Sequence, residues 1–152
     1  MAVTKDARTD EADRRTLLII DDDAEWTDIL KLFFLDKYRV EVVNTACDAI
    51  DVARRHQPSA IIVDLVMPTV DGFGVIHRLN DSGEGRIPTI LLTGWKTAEV
   101  EECAASIGCA AVLAKPIDLL ALDAVVSSIM NRAGAMSAAV MRVSDSAVPL
   151  TG

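Results

Sequence analysis

The sequence predicts an α/β protein, a doubly wound parallel sheet of five strands covered by helices on both faces. Three observations carry that prediction. Apolar runs of strand length alternate five times with segments of helical periodicity. The runs are continuously apolar rather than alternating, as strands buried on both faces must be. Residues are 51% hydrophobic but only 4% aromatic, so the interior is aliphatic and suits helices laid closely over a sheet.

The first run, "TLLII" (16–20), leads through three aspartates into "AEWTDILKLFFLDKY", where Trp26, Ile29, Leu30, Phe33 and Phe34 make one apolar stripe at helical spacing. The second, "RVEVV" (39–43), is followed by "TACDAIDVARRH". There Thr45 and Asp48 have capping-box spacing, and Pro58 bars continuation of the helix. The third, "AIIV" (60–63), precedes the helical "GFGVIHRLN" (72–80), with Asp71-Gly72 as a turn signal. The fourth, "TILL" (89–92), precedes "KTAEVEECAASIG" (96–108), which Gly108 terminates. The fifth, "AAVL" (110–113), precedes "DLLALDAVVSSIMNR" (118–132), with Asp118 as its cap.

A chain of 152 residues with this pattern makes one domain, expected over 16–132. Residues 1–15 mix acidic and basic side chains with little to bury and are expected to be a disordered extension. Residues 133–152, small and Ser/Ala-rich, are expected to be a flexible tail with about one helical turn. The net charge of −8 argues against an electrostatic nucleic-acid binder. No apolar run reaches membrane-spanning length, and the first fifteen residues lack a signal peptide's apolar core. Cys47, Cys103 and Cys109 are odd in number, match no zinc spacing and lie among apolar residues. Buried, reduced thiols serving as core filler in a cytoplasmic protein are the expectation.

Ligands of parallel sheets bind at the carboxyl ends of the strands. Asp21, Asp22 and Asp23 follow the first run, Asp64 the third, Thr93 the fourth and Lys115 the fifth. Asp23 is assigned to capping the next helix. The others have a joint logic. Mg²⁺ takes one or two carboxylates, waters and phosphate oxygens, which explains why like charges cluster. An aspartate is a competent nucleophile toward phosphorus, and phosphoryl transfer needs mainly positioning and charge neutralisation. Taken singly, each residue has an ordinary reading as a loop, strand-end or surface group; together at four strand ends they do not. His56 and His77 lie in helical patterns away from those ends and are read as surface or half-buried residues.

In this order and spacing, "IIDDD", "VDLVMPTVDG", "LLTG" and "LAKP" resemble the receiver domain of bacterial two-component response regulators, across 16–132. The resemblance implies the flavodoxin-like strand order 2-1-3-4-5. It implies that Asp64 accepts a phosphoryl group from a phosphohistidine on a sensor histidine kinase or phosphotransfer protein. Asp21, Asp22, Asp64 and the backbone carbonyl of Val66 would hold Mg²⁺, Thr93 would bind a phosphoryl oxygen, and Lys115 would pair with Asp64. By the same resemblance the domain catalyses only its own phosphorylation and dephosphorylation. The expectation is a stand-alone regulator, monomer or weak dimer, acting on a downstream protein as a switch or phosphorelay shuttle, without nucleic acid or membrane.

The sequence departs from the family at Val112, where receivers carry a switching Tyr or Phe. Trp95, in "LLTGW", is expected with Val66 to cover the acyl phosphate partly and slow water attack. Two rival readings follow. One is an adaptor with this fold that signals without phosphorylation, supported by Val112. The other is a haloacid-dehalogenase-type phosphatase using Asp21 and Asp23 as its Asp-x-Asp pair; Glu25 departs from that pattern, and Asp64 is left unexplained.

Overall fold

The computed structural model describes residues 14–142, apart from 69, 84 and 85, with side chains described as far as Arg132. The expected N-terminal extension, save Arg14 and Arg15, and the segment after Arg142 lie outside the described residues. The order of elements is β1 (Thr16–Ile20), α1 (Ala24–Phe34), β2 (Arg39–Val43), α2 (Ala46–His56), β3 (Ala60–Asp64), α3 (Gly72–Asp81), β4 (Thr89–Thr93), α4 (Ala98–Ser106), β5 (Ala111–Ala114) and α5 (Leu119–Arg142). All neighbouring strands pair in parallel, in the order β2-β1-β3-β4-β5. The flavodoxin-like order is therefore present, with its crossover between β1 and β3.

Alternate residues of the central strands feed two cores. Leu17 and Ile19 join Ile62, Ile90 and Leu92 under α1 and α5, where Leu30, Phe34, Leu122 and Val126 close the layer. Leu18 and Ile20 join Ile61, Val63 and Leu91 on the other face, under Ala49, Ala53, Val75, Ile76 and Ala104. The alanines let α2 and α4 sit close to the sheet. The central strands are buried on both sides, which is why their sequences carry no polar alternation.

Caps set where each helix begins. Asp23 Oδ1 accepts from the Trp26 amide at 3.2 Å, and Asp118 Oδ1 from the amides of Leu120 and Ala121 at 3.0 and 3.3 Å. Asp71, read from sequence only as part of a turn, caps α3 by accepting from the Gly74 amide at 2.8 Å. Asp71→Ala is expected to lower stability by about 1 kcal/mol, measurable as a shift in urea midpoint at constant m-value. The capping box at α2 does not close: the Thr45 hydroxyl donates to Asp48 Oδ2 at 2.6 Å and makes no bond to the backbone.

Other expectations are corrected by helical phase and by missing stop signals. Ile29 is about half exposed, because the buried face of α1 runs through Thr27, Leu30 and Phe34. Cys47 and Cys103 are exposed and Cys109 only half-buried, so the cysteines are not core filler. Ala46, Ala49, Ala53 and Ala104 occupy the inward positions beside them. The last helix continues past Arg132 to Arg142, because "AGAMSAAVMR" is built mainly of good helix formers and holds no proline. Among the described residues, no helix is long and apolar enough to cross a membrane.

Candidate functional site

The site forms where β1, β3, β4 and β5 end. Asp21 directly follows β1, and the chain there is clamped on two sides. Its amide donates to the Val43 carbonyl at 3.1 Å. The Asn44 side-chain amide donates to the Asp21 carbonyl at 2.9 Å and to Thr27 Oγ1 at 3.2 Å. Asn44 and Thr27 are positioning residues that the sequence reading missed. Asn44 follows β2 as directly as Asp21 follows β1, and that place at a strand end was the signal available.

Asp21 is 2% exposed. Its Oδ1 accepts from the Asp23 amide at 3.0 Å, whereas Oδ2 is buried with no hydrogen-bond partner. Burial pushes the carboxyl up from 3.8 to about 6. The Asp23 amide and Lys115 oppose that rise, while Asp64 and Asp22 add to it. A buried carboxylate oxygen without a donor costs free energy unless a cation or a proton supplies what is missing.

Asp64 ends β3 and is 5% exposed. The ladder continues through it, because Leu65 donates to the Leu92 carbonyl at 2.9 Å. Its Oδ1 meets Lys115 Nζ at 2.8 Å. Lys115 is placed by its own amide, which donates to the Thr93 carbonyl at 2.8 Å, just before a cis peptide bond to Pro116. Carboxylate oxygens of Asp21, Asp22 and Asp64 lie within 4.8 Å of one another, with Asp22 exposed to solvent. This set fits a hard divalent cation: three carboxylates offer oxygen donors to one point, and one of them, Asp21, keeps a buried oxygen without a partner.

Thr93 is fully buried, and its Oγ1 accepts from the Trp95 amide at 2.9 Å. The loop that follows Asp64 packs closely against Gly72. The Gly72 amide donates to the Leu65 carbonyl at 2.8 Å, and a β-carbon there would lie 2.6 Å from the Asp64 carbonyl oxygen. No larger residue fits that approach without moving the backbone that carries Asp64, a constraint the sequence showed only as a turn.

Asp21, Asp22, Asp64, Thr93 and Lys115 are thus gathered on the carboxyl edge of the sheet. Asp23 caps α1 through its Oδ1, so the second residue of the phosphatase-type Asp-x-Asp pair serves the helix start. Trp95 and Val66 are 73% and 62% exposed. Val112 lies half-buried in β5 against the α4 side of the core. His56 pairs with Glu41 at 3.4 Å, away from the site. A cavity of about 310 Å³ opens beside the site between Asp23, Trp26, Lys115, Pro116 and Ile117.

Comparison with known proteins agrees with this fold. A family model described as the response regulator receiver domain matches residues 17–127. An uncharacterized 14.6 kDa protein from the sodA1 3′ region of Leptolyngbya boryana is 32% identical over 108 residues, 70% of this chain and 82% of that protein. Response regulator Rre1 of Synechocystis sp. is 29% identical over 125 residues, 80% of this chain and 54% of Rre1. Response regulator GtcR of Aneurinibacillus migulanus is 30% identical, across 49% of its length. The chain therefore spans about half the length of these two regulators. Among solved structures, chemotaxis protein CheY4 of Vibrio cholerae superposes with a TM-score of 0.72 at 21% identity, covering 76% of this chain and 98% of CheY4. The signal receiver domain of a DNA binding response regulator from Colwellia psychrerythraea 34H gives 0.71 at 25% identity, covering 77% and 98%.

Proposed function

The chain belongs to the response regulator receiver family, and on that premise we propose that Asp64 accepts a phosphoryl group from a phosphohistidine donor. One observation carries the reading furthest. A nearly buried carboxylate at a strand end is held at 2.8 Å by an ammonium group, inside a cluster of three carboxylates. An Asp64 oxygen attacks phosphorus, the P–N bond breaks, and imidazole leaves. Lys115 neutralises charge on the transferring group, and Thr93 supplies a hydroxyl to a phosphoryl oxygen. Asp21, Asp22, Asp64 and the Val66 carbonyl would hold Mg²⁺, which when bound offsets charge on the phosphoryl oxygens. The donor is a sensor histidine kinase or a phosphotransfer protein. Phosphorylation adds negative charge at the strand ends and biases a surface read by a downstream protein, as a switch or relay shuttle. Such a domain catalyses its own phosphorylation and dephosphorylation.

The test is intact mass after incubation with Mg²⁺ and acetyl phosphate, with peptide mapping. One phosphoryl group on Asp64, absent in EDTA and in Asp64→Asn, is the expected result. No adduct from acetyl phosphate or from phosphohistidine proteins would leave the phosphorylation-independent adaptor, which the aliphatic Val112 favours.

Trp95 and Val66 supply apolar surface at the rim of this site. Trp95→Ala is expected to shorten the acyl-phosphate lifetime by several-fold, on the order of 1 kcal/mol in barrier. Loss of label from purified phosphoprotein measures it, and an unchanged half-life would remove Trp95 from the account.

A further inference from the structure

The end of α4 carries one cysteine on its last turn, Cys103, and a second, Cys109, just after its closure. Ile107 is the last residue before the chain turns, and Gly108 takes φ +86°. The Cys109 amide donates to the Ala104 carbonyl at 2.9 Å and the Gly108 amide to the Ala105 carbonyl at 3.1 Å. That pair of bonds defines a Schellman closure, in which the side chain after the glycine folds back onto the last full turn of the helix. Here the folding-back residue is Cys109, and Cys103 stands on that turn, its carbonyl accepting from the Ile107 amide at 3.2 Å. Cys103 is exposed, whereas Cys109 is half-buried against the core beneath α4. Burial, and after it charge on the neighbouring Cys103, push the Cys109 thiol up to about 11.

We infer that Cys103 and Cys109 form a reversible disulfide by exchange with a small-molecule disulfide, fastening the end of α4 to the start of β5. The exposed Cys103 thiolate attacks one sulfur of the reagent; its S–S bond breaks, and one thiolate leaves, to be protonated by solvent. Cys109, deprotonated in turn, attacks the Cys103 sulfur of the mixed disulfide and expels the second thiol. Two protein thiols are oxidised, and one external disulfide is reduced to two thiols. The order follows from exposure, because the half-buried Cys109 is a poor first nucleophile and a good second one only by proximity. The bridge would lie on the segment between Thr93 and Lys115, so the redox state of the pair would act on elements that carry both.

Cys47 provides an internal control, since it is exposed on α2, beside the opposite edge of the sheet. The test treats the full chain with oxidised glutathione, then alkylates under denaturing conditions and maps peptides by mass. In the parent and in Cys47→Ser alike, the expected product yields a Cys103–Cys109 peptide two hydrogens lighter than its reduced form, with glutathione on the parent confined to Cys47. Cys109→Ser should stop at a glutathione adduct on Cys103, and Cys103→Ser should give no bridge. A parent that keeps glutathione on Cys103 while Cys109 remains alkylatable would overturn the inference, as would bridges only between separate molecules.

Discussion

Asp21→Asn is expected to stabilise the Mg²⁺-free protein at neutral pH by up to about 3 kcal/mol while abolishing its response to Mg²⁺. The carboxyl is nearly inaccessible, one oxygen has no donor, and burial raises its pKa from 3.8 to about 6. Above that range both folded and unfolded chains are ionised, and the folded state carries the cost of a buried charge. As pH falls from about 6 toward 4, the folded protein takes up a proton that the unfolded chain does not, so this group's contribution to stability rises. Below the unfolded value both states are protonated, and parent and Asn variant should converge. Added Mg²⁺ stabilises the parent by binding the folded form alone. The same proton competes with the cation, so apparent Mg²⁺ affinity should fall below about pH 6. Urea midpoints across pH, with and without Mg²⁺, check all of this. A variant less stable than the parent at neutral pH without Mg²⁺ would mean that Asp21 is held by contacts worth more than its desolvation.

Much of this architecture was legible because burial on both faces writes itself into a strand as an unbroken apolar run. β1 and β2 have the bounds their sequences predict. β3 and β4 run one residue further, and those residues are Asp64 and Thr93. Hydrophobicity cannot see a polar residue kept in the ladder by backbone hydrogen bonds, yet there the candidate site's side chains emerge. Helical phase was less legible. Ile29 and Cys47 each sit one position from a residue that is buried, and an apolar neighbourhood in sequence does not say which way a side chain turns. The gathering of charged groups at the strand ends was readable, but its supports were not. Asn44 and Thr27 fix the Asp21 backbone through neutral hydrogen bonds, and Gly72 acts by having no side chain, so neither kind of support leaves a mark in charge or periodicity.

Lys115→Met is expected to slow phosphoryl uptake roughly ten- to a hundredfold, the kinetic equivalent of one charge-assisted hydrogen bond, about 1.5–3 kcal/mol. Met keeps most of the length and apolar bulk of the stem but removes the ammonium group that meets Asp64 Oδ1 at 2.8 Å. The Lys115 side chain is about one-third exposed while that of Asp64 is 7% exposed, so the folded protein loses less than a fully buried pair would. The informative feature is the split between binding and chemistry. Removing a cation beside three carboxylates leaves more negative charge for Mg²⁺, so the metal should bind at least as tightly in the variant. The transfer step, in which charge spreads over the phosphoryl oxygens, should suffer alone. Mg²⁺ titration by tryptophan fluorescence, together with the rate of mass increase in acetyl phosphate, separates the two. Equal losses in both would make Lys115 a structural prop for the cluster. Loss of rate with metal binding kept would place its charge on the transferring group.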